Sequence, residues 1–310
     1  MMRIWISIPL QSLDVYSEDG YLVCRYEISS AKNGAGELSG SYRTPRGRHL
    51  VRAKIGKGVP ENTVFVGRRP SGELWSPAFG AANPDRDWIL TRILWLSGRE
   101  PGFNRLGDVD TMRRYIYLHG SPDSVEMGTP GSIGCIRMRN RDIVELFDLV
   151  PPYTPVDIVE YGVECGDWVD LGALAGPLRE QVFVVEQGVP LDMEYDAADP
   201  ISLHALARSP DGRAIGTGRL LEDGHVGRMA VLPDWRGKGV GTALLCHLME
   251  EARRRGINRL ALNAQTQAAD FYRRFGFVEE GKVFIEAGLS HIAMVKMLLP
   301  ASNNALGLPA

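Results

Sequence analysis

The sequence predicts a multidomain chain, with a β-rich first half followed by an α/β second half. Three observations carry this expectation. The chain has 310 residues, more than one ordinary core requires and enough for two. Over residues 1–162, short β-prone runs are separated by clusters of Gly, Pro, Asn and Asp, whereas over residues 166–300 helical and strand patterns follow one another. The composition, 44% apolar with 35 Gly and 19 Pro, is that of a folded and turn-rich protein, not a disordered one.

Taken in order, the opening stretch RIWISIPL sets Ile4, Ile6, Ile8 and Leu10 in period-two alternation, the pattern of a strand buried on one face. YLVCRYEIS, HLVRAKIG, NTVFVGRR, RRYIYLHG and TPVDIVEY read as further strands, and only NRDIVELFDLV reads as a helix. The boundary falls near Tyr161–Asp167. Beyond it, LREQVFVVEQG reads as a helix, SLHALARS and AIGTGRLLED as a hairpin, and HVGRMAVLP as a strand. GVGTALLCHLMEEARRRG puts Val240, Leu244 and Leu248 on one helical stripe; the strand RLALNA, the helix QAADFYRRFG and the strand HIAMVKMLL follow. Residues 301–310 read as a flexible tail.

A formal charge of −3 and a pI near 6.1 give no general attraction to phosphate backbones or anionic lipid, so a nucleic-acid partner is not expected. No apolar run is long enough for a membrane span, and the N-terminus lacks the cleavage pattern of a secretory signal. The four cysteines, Cys24, Cys135, Cys165 and Cys246, form no C-x-x-C pair, so neither a metal site nor a disulfide framework is expected. A cytoplasmic location is the expectation.

The stretch SIGCIRMRNRD places Cys135 behind a glycine, and His119 and Gly120 end a β-prone run upstream. A free thiol, with a pKa of about 8.5, is only a few per cent ionised at neutral pH. A neighbouring imidazolium that lowers it by roughly two units supplies about 2.7 kcal/mol and makes thiolate the main form. A strand ending at His119 and a loop Ser132–Cys135 returning to it would create that pair, with amides near Gly134 placed for an oxyanion. On residue types alone, packing and surface roles are the commoner explanation of one cysteine and one histidine.

SYRTPRGRH, YIYLHGS and GSIGCIRMRN together resemble the L,D-transpeptidase (YkuD) catalytic domain, a β-rich cysteine acyltransferase fold, over nearly all of residues 3–160. The resemblance implies His119 as general base, Cys135 as nucleophile, and Gly120, Ser132 and Gly134 as supporting positions. It places Arg137 where a guanidinium grips a peptide carboxylate, with a structural ion pair as the alternative. Ile133 stands where many members carry a histidine. The implied activity is cleavage beside the diamino acid of a peptidoglycan stem peptide, through a thioester and without a cofactor. Since no export signal is seen, the expected reaction is hydrolysis: an L,D-carboxypeptidase that removes terminal D-alanine from muropeptide tetrapeptides during murein recycling. An exported transpeptidase that cross-links the wall is the alternative.

In the second half, RMAVLPDWRGKGVGTALL sets a strand, a glycine-rich turn and a helix in succession, so the amides from Gly237 to Gly241 can converge on one anion beside Arg236 and Lys238. A tight turn is the plainer explanation. The pattern is not a P-loop, and Thr242 occupies the third glycine place of a dinucleotide fingerprint. With AADFYRRFGFVEEG, it resembles the GNAT acetyltransferase superfamily over roughly residues 168–299, and VFVVEQGVP and HIAM narrow the likeness to a bacterial subgroup of unassigned substrate. The resemblance implies an acyl-CoA N-acyltransferase fold using acetyl-CoA and an amine acceptor. Arg236, Gly237, Lys238, Gly239, Val240, Gly241 and Thr242 would hold the pyrophosphate, Met229 and Val231 the pantetheine and thioester, and Tyr272 the proton for the departing thiolate. Phe271 and Phe275 read as core. Glu186, His204 and His291 are candidate bases, with a water chain or a domain that merely binds acetyl-CoA as alternatives.

Overall fold

The computed structural model describes residues 2–299, so the segment read as a flexible tail lies outside the described residues. By packing, the chain divides into one unit running to Ser17 and over Leu22–Tyr161, and a second made of Glu18–Tyr21 and the chain from Gly162.

The first unit is built on a ten-stranded sheet. Its elements are β1 (Arg3–Ser7), β2 (Ser12–Tyr16), β3 (Leu22–Glu27), β4 (Gly47–Ile55), β5 (Thr63–Val66), β6 (Arg69–Leu74), α1 (Pro77–Ala81), β7 (Leu90–Gly98), β8 (Tyr117–Gly120), β9 (Ile136–Met138), α2 (Asn140–Leu149) and β10 (Pro155–Val159). The strand order is β3-β2-β1-β10-β4-β7-β5-β6, with β8 pairing β7 and β9 off this path. β1 lies between β2 and parallel β10, so both of its edges are paired, and its two faces are both covered, since Trp5 and Ser7 are buried along with Ile4 and Ile6. The one-sided burial expected from its alternation is therefore wrong, and Leu10 lies exposed beyond the strand. Helix α2 buries Ile143, Leu146 and Phe147, spaced by three and four residues. They join a core of Leu94 and Leu96 from β7, Leu118 from β8, and Ile136 and Met138 from β9. Period-two spacing sends the other side chains of these strands, Ile93, Trp95, Tyr117, His119 and Arg137, to the opposite face.

The second unit carries β11 (Gly162–Asp167), α3 (Trp168–Arg179), a π-helical segment (Glu180–Glu186), α4 (Leu191–Glu194), β12 (Leu203–Arg208), β13 (Ala214–Leu220), β14 (Val226–Val231), α5 (Val240–Arg254), β15 (Arg259–Gln265), α6 (Ala269–Arg273), β16 (Val278–Glu286) and β17 (Leu289–Met297). Within the stretch read as the boundary, Tyr161–Asp167, the division falls after Tyr161, and Gly162–Asp167 form β11 and pair with β12 in this unit's sheet. Most of the helix read as LREQVFVVEQG is the π-helical segment, and the α-helix precedes it. Gly and Pro177 hide α3 from a propensity reading. Packing fixes it instead: Leu171, Ala175 and Leu178 are buried, and a Cβ at Gly172 would stand 2.7 Å from the Trp168 ring. β11-β12-β13-β14 and β15-β17-β16 form separate sheets, touching through one parallel bridge, His225 with Ala261. Past that bridge no ladder joins β14 to β15 among the described residues, so β14 is paired along one edge only, with β13.

Candidate active sites

The first site forms where β8 and β9 run parallel, with His119 opposite Arg137. Cys135 immediately precedes β9 and falls on the same face as Arg137, so nucleophile and base candidates share one side of a strand pair. Gly134 has φ +140°, in the region that favours glycine. Its carbonyl accepts from Thr44 Oγ1 at 3.0 Å, and the same hydroxyl oxygen accepts from the Ala31 amide. Ser132 Oγ donates to the Cys135 carbonyl and accepts from the Gly134 amide, so that amide, expected to meet an oxyanion, is engaged by Ser132.

His119 is fully buried, and its Nδ1–H donates to the Gly120 carbonyl at 2.8 Å. That bond leaves Nε2 as the unprotonated ring nitrogen, and Nε2 has no hydrogen-bond partner. Gly120 is sterically required: a Cβ there would stand 2.4 Å from Asn140 Oδ1. The thiol of Cys135 is partly exposed and donates to the Tyr115 carbonyl at 3.4 Å. Burial of its surroundings pushes it up to about 12, while burial also holds His119 below its ordinary value. The resting pair is thus a neutral thiol and a neutral imidazole. The ion pair expected from the sequence is corrected, because no opposite charge outweighs desolvation at either group.

Arg137 donates to Asp87 at 2.6 Å and to the Gly131 carbonyl at 3.1 Å, so the ion-pair alternative describes its resting state. Residues without a role in the sequence reading complete the face: Arg68, Trp95, Tyr115 and Tyr117, with Cys135 packed on Tyr117, Ile93 and Phe65. Ile133 is exposed.

The second site is made mainly of backbone. Gly237 and Gly239 have φ of +73° and +84°, and Gly239 caps α5 with no side-chain hydrogen bond. The first-turn amides of Val240, Gly241 and Thr242 are therefore not met by a side-chain cap, which suits a phosphate oxygen. Lys238 lies over the Trp235 ring. Arg236 is already occupied: Nε donates to the Val231 carbonyl, and both terminal nitrogens donate to Glu186 at 2.7 Å. Val231 pairs with Gly216 on the inner side of β14, and the strand is irregular around Met229, where Arg228 has φ +50°.

Tyr272 is nearly buried, and burial pushes its phenol up to about 12, so it keeps its proton at neutral pH. It packs edge-on against Phe271, whose ring would lie 3.7 Å from a Cβ on Gly241, so α6 stands beside the amide cradle. The candidate bases are engaged elsewhere. Glu186 is held by Arg236, His204 is buried with Nε2–H donating to the Asp199 carbonyl, and His291 Nδ1 meets the Leu289 carbonyl. Sequence reasoning missed a network, buried except at Asp196, in which Arg179 binds Glu194 and Asp199 while Arg219 binds Asp196 and Asp199. Its trace is the carboxylate spacing in MEYDAAD, which only folding gathers onto two arginines.

The family model described as the L,D-transpeptidase catalytic domain matches residues 2–158, and that of the acetyltransferase (GNAT) domain matches residues 174–298. Among curated proteins, the uncharacterized N-acetyltransferase YjcF of Bacillus subtilis is 37% identical over 123 residues, covering 38% of this chain and 87% of YjcF. YyaT of the same organism is 32% identical over 125 residues, covering 38% and 84%. An acyl-CoA N-acyltransferase from Pseudomonas aeruginosa aligns with TM-score 0.41 and 30% identity over 44% of this chain and 99% of that one. Escherichia coli ElaA aligns with TM-score 0.40 and 27% identity, over 44% and 99%. With a cysteine and a histidine on one strand face ahead of an uncapped glycine-rich helix start, the chain belongs to the YkuD L,D-transpeptidase family in its first unit and to the GNAT acetyltransferases in its second.

Proposed function

We propose that the chain is a bifunctional enzyme: an L,D-carboxypeptidase that removes terminal D-alanine from muropeptide tetrapeptides, joined to an acetyl-CoA-dependent N-acetyltransferase. The observation that carries the first half is the unpartnered Nε2 of buried His119 on the face that bears Cys135. On this reading His119 Nε2 takes the thiol proton as Cys135 Sγ attacks the carbonyl of the penultimate residue. The imidazolium then returns the proton to the departing D-alanine nitrogen, leaving a thioester. Water, deprotonated by the same Nε2, attacks the thioester and releases the tripeptide carboxylate and the thiol. A neutral starting pair suits this sequence, since an imidazole held below its ordinary value is unprotonated at neutral pH.

In the second unit, the first-turn amides of α5, from Val240 to Thr242, with Gly237, Lys238 and Gly239, would hold the pyrophosphate, and the edge of β14 at Met229 and Val231 the pantetheine. Arg236 would serve there only after exchanging Glu186 for phosphate. Acetyl-CoA supplies the activated acyl thioester, and Tyr272 holds the proton that the sulfur requires. The acceptor is an amine; a muropeptide or amino-sugar fragment links it to the first activity. The proposed setting is cytoplasmic, and among the described residues no helix is long and apolar enough to cross a membrane.

Incubation of the full chain with a muropeptide tetrapeptide is expected to yield tripeptide and free D-alanine by mass spectrometry, with a loss of about 10⁴-fold or more in Cys135→Ala. Tetrapeptide left intact by both proteins overturns the peptidase reading. Absence of heat on titrating acetyl-CoA to millimolar concentration overturns the second.

A further inference from the structure

Arg68 sits in the two-residue turn joining β5 and β6, where Gly67 and Arg68 both have positive φ, +54° and +67°. Its guanidinium lies 4.7 Å from the Trp95 ring centroid and 4.8 Å from that of Tyr115, and Nη1 donates to Tyr117 Oη at 3.2 Å. Two of these rings belong to residues that touch the nucleophile: the Tyr115 carbonyl receives the Cys135 thiol, and Tyr117 packs against Cys135. Aromatic faces fix the plane of the cation and leave its N–H edge open. Of five donors, one is taken by Tyr117, and no carboxylate pairs with Arg68 among the described residues.

The other cations near this face are committed. Arg137 is bound to Asp87, and Arg114 donates to the carbonyls of Gly36, Glu37 and Arg43. We infer that Arg68 binds the terminal carboxylate of the peptide whose carbonyl Cys135 attacks, an assignment that rests on the peptidase reading above. In a carboxypeptidase substrate that carboxylate is borne by the carbon attached to the scissile nitrogen. A bidentate cation clamped on the side chains of Tyr115 and Tyr117, the residues that meet the thiol, therefore selects a free C-terminus over an internal bond. Arg68 thereby restricts the site to removal of a terminal residue.

The test compares a tetrapeptide bearing a free terminal carboxylate with its C-terminal carboxamide, using the full chain and its Arg68→Met and Arg68→Lys variants. Arg68→Met is expected to lower kcat/KM for the acid roughly 10–100-fold, mainly through KM, and to lower that for the carboxamide at least about tenfold less, with Arg68→Lys intermediate. Equal losses for both peptides, or no loss for either, overturn the assignment. Calorimetry in a Cys135→Ala background separates the two readings. There the acid is expected to bind more tightly than the carboxamide, and Arg68→Met to abolish the difference. That binding result without turnover by the unmutated chain sinks the peptidase reading alone, whereas no acid preference sinks the Arg68 assignment.

Discussion

On the β8–β9 face, burial holds Cys135 and His119 in their neutral forms, pushing the thiol to about 12 and the imidazole down. In the second unit, Arg179 is fully buried and Asp199 nearly so, yet this pair is charged. Burial pushes Asp199 up, but hydrogen bonds and charge from Arg179 and Arg219 outweigh it and leave its carboxyl below the usual range. Asp196, held chiefly by Arg219, falls to about 2. Depth alone therefore does not decide ionisation. What differs is whether folding supplies a fixed opposite charge within hydrogen-bond reach. The neutral pair is left able to move a proton, and the charged network is left able only to hold its loop.

The largest effect that would break this contrast is expected at Arg179. Replacing it with Met leaves the buried carboxylate of Glu194 with Arg228 at 3.6 Å and that of Asp199 with Arg219, and removes the cation stacked on Trp168 and Tyr195. A loss of about 3–5 kcal/mol is expected, read by urea denaturation followed through acetyl-CoA binding. A loss below about 1 kcal/mol shows that the network is not holding the unit together.

Next in size is the thiol itself. A group at about 12 has far less thiolate at pH 7 than an ordinary cysteine near 8.5, so alkylation of Cys135 by iodoacetamide should run at least ~100-fold slower than that of a model thiol, measured by peptide mapping. Fast alkylation restores the ion pair and erases the difference between the units. The sign for turnover follows from His119. Because its folded value is lowered, the base form persists as pH falls, so kcat/KM should stay level down to about 6.5 and decline only below it.

How much of this was legible depended on what each site is made of. His119, Cys135, Gly120 and Gly134 are singled out by the resemblance of YIYLHGS and GSIGCIRMRN to the YkuD domain, since residue types alone favour packing roles, and the pairing of β8 with β9 then puts them together. Their protonation states were not legible, because they depend on burial, to which Phe65 of β5 and Ile93 of β7 contribute around Cys135 from distant parts of the chain. The glycine-rich start of α5 showed in the sequence because the left-handed residues Gly237 and Gly239 must be written there. Helix α3 did not show, since Gly172, Gly176 and Pro177 argue locally against a helix, and what overrides them is contact with Trp168 and Tyr195. Arg68 had no local mark beyond following a glycine, and its meaning comes from two rings more than twenty-five residues away.

The smallest effect tests the same rule at the surface. Glu186 and Arg236 form a bidentate pair, but both are substantially exposed, and the guanidinium draws the carboxyl below its ordinary value without any large burial to oppose it. An exposed pair of this kind contributes on the order of 0–1 kcal/mol, so Glu186→Gln should leave thermal stability almost unchanged, unlike Arg179→Met. The amide oxygen can still accept from Arg236, while the negative charge beside the α5 start is gone. Acetyl-CoA affinity should therefore rise by roughly two- to fivefold in calorimetric titration, since its phosphates no longer compete with a carboxylate for that guanidinium. A fall in affinity would mean that Glu186 positions Arg236 for the phosphates, and that even a solvated ion pair can hold a site in place as the buried network does.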